Sequence, residues 1–172
     1  EDGIRDYKVT GVQTCALPIY VDPGGGLITE PRFTVALVPN EGKLSKSWWW
    51  YYDKTPSQVA SLLEKNKARP VEIERYQKSP GVYRLAVVMV ARTAKEGAPW
   101  GIDKTEKQIK ALIKTKGVRI VDLDRYVSPN QEVLFSYAGS NTGVKPKIKF
   151  GISAGELAEE TQDGLWRVAS LE

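Results

Sequence analysis

The densest chemistry in the chain is a run of five aromatic residues, Trp48, Trp49, Trp50, Tyr51 and Tyr52. Exposed Trp and Tyr give much contact area for little rotamer entropy, which suits capture of a protein, peptide or glycan. A run of five cannot easily bury every ring, so some must face solvent or a partner. Two carboxylate pairs, Glu72/Glu74 and Asp122/Asp124, form the second candidate. Acids two apart share one side of a strand and invite a two-carboxylate hydrolase reading. Each pair is followed by an arginine, Arg75 or Arg125. A pattern that occurs twice is explained more simply by an ion-paired, solvated strand face than by two active sites. The chain has no histidine, which removes the commonest general base, the commonest zinc ligand and every Ser-His or Cys-His nucleophile. No catalytic residue, metal site or cofactor is expected, and the carboxylate hydrolase stands as the alternative reading.

The elements that must position these residues are marked by a period of 50. Trp48–Tyr76 lies over Ala98–Tyr126 without a gap, with identities at Trp50/Trp100, Asp53/Asp103, Lys54/Lys104, Thr55/Thr105, Gln58/Gln108, Leu62/Leu112, Arg69/Arg119, Val71/Val121, Arg75/Arg125 and Tyr76/Tyr126. A weaker third copy runs from Phe150 to Glu172. A fixed period of this size indicates a modular array whose units bury apolar faces against their neighbours. Thr55 with Gln58, Thr105 with Gln108 and Ser153 with Glu156 read as capping boxes opening three helices, which end at Asn66, Gly117 and Gly164. Val59, Leu62 and Leu63, then Ile109, Leu112 and Ile113, give apolar stripes at helical spacing. The third helix keeps only Leu157 and Ala158 and should be the weakest.

After each helix the pattern alternates as in a strand, with Val71 and Ile73, or Val121 and Leu123, on one side and the acids on the other. A turn and a returning strand follow, at Tyr83 to Ala91 and Val133 to Ala138, with an earlier counterpart from Phe33 to Val38. The sequence therefore predicts an α+β fold of tandem repeats of about 50 residues, each helix-strand-turn-strand, with helices on one face of a mixed or antiparallel sheet. The expected divisions are a tail at 1–19 and a repeat domain at 20–172, comprising a repeat end (20–47), two repeats (48–97 and 98–147) and a truncated one (148–172). Trp50 and Trp100 read as anchors at the entry to each helix, with Tyr76 and Tyr126 as further repeat anchors. Trp48, Trp49, Tyr51 and Tyr52 are the ligand-facing candidates.

Residues 1–19, EDGIRDYKVTGVQTCALPI, share nothing with the repeats and look like the in-frame translation of a short-read sequencing adapter. They are expected to contribute nothing to the fold. The single cysteine, Cys15, belongs to them, and setting them aside moves the formal charge from +4 to +5. The authentic N-terminus is then expected to lie upstream, in an earlier repeat. Lys104, Lys107, Lys110, Lys114 and Lys116 could line a phosphate-binding helix face. The first helix has few matching bases and no nucleic-acid motif accompanies them, so a solvated face is the simpler reading and nucleic acid is not an expected partner. Gly24-Gly25-Gly26 lacks the lysine of a phosphate loop and reads as a turn. No apolar run approaches membrane length.

WWWYYDKTPSQVASLLEKNKARPVEIERY, followed by YRLAVVMV and by the Asn141–Gly143 NTG, resembles the bacterial tandem-repeat domain found at the N-terminus of fungal polyglycine hydrolases and beside β-lactamase-like serine hydrolases. The resemblance spans 20–172 and is strongest in the Trp-rich run and the Arg-x-Val-acid-Ile-acid-x-Tyr strand. It implies a secreted, non-catalytic recognition or accessory module, binding protein, peptide or glycan and joined in cis to a serine hydrolase domain. That domain's Ser-x-x-Lys motif is not present here, so no catalytic residue carries over. A purely structural adhesive spacer is the third reading.

Overall fold

The computed structural model describes residues 20–21, 33–34, 40, 42, 45–116, 118–141 and 147–162. The expectations placed on 1–19, Gly24–Gly26, 35–38, Gly117, Thr142–Gly143 and 163–172 lie outside these residues. Strand β1 (Tyr20–Val21) pairs with β2 (Phe33–Thr34). β3 (Trp48–Lys54) leads into α1 (Pro56–Lys65), then β4 (Ala68–Ser79) and β5 (Val82–Ala91). β6 (Trp100–Lys104), α2 (Glu106–Lys116), β7 (Arg119–Val127), β8 (Val133–Ser140) and α3 (Ala154–Thr161) complete the order. Two antiparallel three-stranded sheets result, ordered β3-β5-β4 and β6-β8-β7.

The expected α+β fold is corrected. Strands make up 46% of the described residues and helices 25%, so the fold is mostly β, and the periodicity does not become a clear array of repeats. Two departures account for this. The aromatic block is strand β3 rather than a helix entry: bulky rings favour the pleated, half-buried surface of a sheet. The strands also close into two separate small sheets rather than extending one, while the third segment contributes only α3 among the described residues.

Helix starts follow the local chemistry. Thr55 and Ser153 form complete capping boxes with Gln58 and Glu156, and Thr105 and Gln108 make the same reciprocal bonds, so orphan amides at each first turn are satisfied. At the end of α1, Asn66 stays right-handed and Lys67 makes the left-handed exit. Val59 and Leu63 of α1 and Ile109 of α2 are buried, whereas α3 buries no residue. Polar Glu160 and Thr161 replace its apolar stripe. Its ionic contacts are with the segment just before it: Glu160 pairs with Lys147 and, at 2.6 Å, with Lys149, and these bonds hold its carboxyl down at about 2.

A bulge breaks the alternation expected of β4 and β7. The register shifts between Pro70 and Glu72, and again between Ile120 and Asp122, leaving Val71 and Val121 as the extra residues. An inserted residue reverses which side the following positions face. Ile73 therefore joins Tyr51, Val59, Leu63, Leu85, Val87 and Met89 in the first core, while Val71 packs with Tyr76, Ala86 and Val88 on the opposite face. The second core gathers Ile109, Val118, Ile120, Phe135 and Tyr137, with Leu123 and Phe150 against it. The acids follow the bulge too: Glu72 is only 4% exposed, so the expected solvated carboxylate face is not formed.

The second sheet lies against the outer edge of β4. Ala138 is buried in the first core, with Trp100, Ile102 and Val121 packed around it. The Ile73 N–H donates to Asp122 Oδ2 at 3.0 Å, and Ser136 Oγ lies 3.3 Å from the Ile73 carbonyl oxygen. An open strand edge would otherwise present unpaired main-chain groups. Arg75 reaches across the same junction, its guanidinium 3.8 Å from the Tyr83 ring centroid and 4.4 Å from that of Tyr126, with Asp103 Oδ1 3.7 Å away. Among the described residues no helix is long and apolar enough to cross a membrane.

Candidate functional site

Strand geometry sorts the five aromatic residues onto two faces. Side chains alternate along β3, and cross-strand partners fix which way each points. Trp49 stands opposite Met89 and Tyr51 opposite Val87, both on the face that α1 covers. Tyr51 is 9% exposed, and its hydroxyl accepts from Asn66 Nδ2 at 3.2 Å. Trp49 packs, partly buried, against the same core. Trp48 and Trp50 stand opposite Val90 and Val88 on the other face. There Trp50 is 39% and Tyr52 37% exposed.

Trp50 and Tyr52 stack, with centroids 5.8 Å apart and planes 17° from parallel. Phe33 of β2 meets both edge-on, at 5.9 Å and 5.6 Å. The result is a three-ring cluster at the surface, and half-buried Trp48 lies on the same face with no hydrogen-bond partner for its Nε1 among the described residues. The structure thus places Trp50, read from sequence as a buried anchor, in the exposed set and Tyr51, read as ligand-facing, in the core. Trp100, its partner in the alignment, is packed against the first core because the second sheet rests there. Phe33 was not legible as a member, since only the packing of the separate β1-β2 pair brings it to these rings.

A charged rim borders the cluster. Asp53, just beyond Tyr52, takes a left-handed backbone (φ 56°), and Asp103 does the same (φ 54°). Aspartate tolerates this region better than most residues. Each is held by a tyrosine 23 positions later: Asp53 N–H donates to Tyr76 Oη at 3.0 Å and Asp103 N–H to Tyr126 Oη at 2.7 Å. The Tyr126 hydroxyl in turn donates to Asp103 Oδ1. Burial is the main cause that raises both phenols above their ordinary range, with the hydrogen bond to Asp103 adding to it at Tyr126. Asp53 also pairs with Lys78 Nζ at 2.5 Å and Arg84 Nε at 3.3 Å, placing two cations beside the rings. The repeated Asp-Lys-Thr triplets were the signal for these strand irregularities.

Both acids of the second carboxylate pair are engaged elsewhere. Asp122 binds the Ile73 amide and Asp124 Oδ2 lies 3.1 Å from Ser136 Oγ, both within the sheet junction. Lys110 pairs with Glu106 and lies 5.2 Å from the Phe150 ring, so this lysine is tied to its own helix and its neighbour. Asn141 latches the loop before β6, accepting from Gly97 N–H at 2.6 Å. Among the described residues no group of three or more His, Cys, Asp or Glu could hold a metal ion. No protein-family model, curated protein or solved structure matches the chain.

Proposed function

We propose that the protein is a non-catalytic recognition module that captures a protein, peptide or glycan on the Phe33–Trp50–Tyr52 cluster. The observation that carries the reading is the pair of stacked rings at the surface of β3, with Trp50 39% and Tyr52 37% exposed. Exposed aromatic side chains fixed by mutual packing lose little freedom on binding, and the Lys78–Asp53–Arg84 rim supplies polar contacts beside them. The engagement of Asp122 and Asp124 within the sheet junction favours binding over carboxylate chemistry. The resemblance to the domain that precedes polyglycine hydrolases supports an extracellular accessory role, in cis with a serine hydrolase domain.

The test is a comparison of wild type with Trp50→Ala and Tyr52→Ala on a glycan array and on an array of extended peptides. Ligands retained by wild type and lost by both variants, with folding intact by circular dichroism, support the reading. Retention by both variants would move recognition off this face and favour the spacer.

A further inference from the structure

Ser136 stands between two acceptors. Its Oγ is 3.3 Å from the Ile73 carbonyl oxygen and 3.1 Å from Asp124 Oδ2, and its side chain is wholly buried. A serine hydroxyl carries one proton and can donate to only one of these oxygens at a time. An acceptor left over in the interior is costly. With Asp124 protonated the shortage disappears: its O–H donates to Ser136 Oγ, and the serine proton goes to the Ile73 carbonyl. With Asp124 ionised, the charged oxygen outcompetes the neutral carbonyl for the serine proton. The Ile73 carbonyl then loses the donor supplied by the second sheet.

We propose that Asp124, Ser136 and the Ile73 carbonyl form a proton-dependent clasp between the two sheets, closed when Asp124 holds a proton and open at the carbonyl when it does not. The proton exchanges with water, and no other group need change charge. The Ile73 N–H bond to Asp122 belongs to both states, so only half of the junction switches. Titratable and charged groups on the surrounding elements are Arg119, Asp122, Arg125 and Tyr126 on β7, Tyr137 on the opposite face of β8, Arg69, Glu72, Glu74, Arg75, Tyr76 and Lys78 on β4, and Asp103 and Lys104 on β6. Of these, Arg75 is drawn toward Asp103, Tyr83 and Tyr126.

Burial raises the Asp124 pKa above its ordinary value, against the lowering effect of the Ser136 hydroxyl and the Arg125 amide. A carboxyl raised in the folded state holds a proton that the unfolded chain releases. Its contribution to stability is therefore full below about pH 3.9 and is lost as pH rises through the elevated folded value.

The experiment is a pH titration of the full chain by carbon-13 NMR, following the Asp124 carboxyl and the Ile73 carbonyl. The expected result is one shared midpoint, above the ordinary aspartate range. In Asp124→Asn the amide N–H donates to Ser136 at every pH, so the Ile73 carbonyl should hold its low-pH position throughout. In Ser136→Ala, Asp124 should still titrate and the Ile73 carbonyl should no longer follow. The clasp is overturned if the Ile73 carbonyl stays still in wild type while Asp124 titrates, or if it titrates unchanged in Ser136→Ala; this second variant carries the test should Asp124→Asn not fold.

Discussion

Trp50 and Trp100 occupy matching places in the sequence and meet different surroundings. The first is exposed beside Tyr52 and Phe33, and the second is packed under the sheet junction. Residue type and spacing marked both as special, but not which would be covered, because cover comes from a neighbouring sheet rather than from the strand itself. Stability should divide along the alternation of β3. Trp50→Ala should change unfolding free energy by at most about 1 kcal/mol, the scale of a largely surface substitution. Tyr51→Ala, which empties a core site and removes the partner of Asn66, should cost about 3 to 5 kcal/mol. Urea denaturation of the two variants checks this, and equal losses would mean that the two faces of β3 are misassigned. The same logic explains the aspartates. Their identity in both copies was visible, while their left-handed backbone and tyrosine latch required the fold.

At the scale of elements, the helix starts were fully legible, since a capping box is a contact between residues three apart and needs no tertiary information. Strand faces were not, because one bulge residue, Val71 or Val121, reverses everything after it. Cross-strand volume is the other hidden quantity. Tyr51 pairs with Val87 in the first sheet and Gly101 with Tyr137 in the second, so the large residue changes strand. A Cβ on Gly101 would stand 2.8 Å from the buried Tyr137 ring. Gly101→Ala should therefore cost about 1 to 3 kcal/mol by overpacking, and pairing it with Tyr137→Val should recover part of that loss. A thermal melt of the single and double variants reads it out. Additive losses would show that the ring does not fill the glycine's space.

For the whole molecule, the periodicity in sequence suggested an array sharing one sheet. The fold instead rests one small sheet on the edge of another, through Asp122, Ser136, Arg75 and Ala138. Asp122 and Asp124, one of the two pairs that looked like candidate catalysts, sit at this junction, and the Trp50 and Tyr52 rings of β3 are left exposed at the surface. Recognition by those rings is the central claim, and the chain's five tryptophans give a direct way to locate it. A ligand selected on the arrays is titrated into nitrogen-15-labelled protein while the indole N–H signals are followed. The account predicts that the Trp50 indole moves with ligand and that the Trp100 indole, under the sheet junction, does not. A titration in which Trp50 stays fixed while the ligand binds would contradict it.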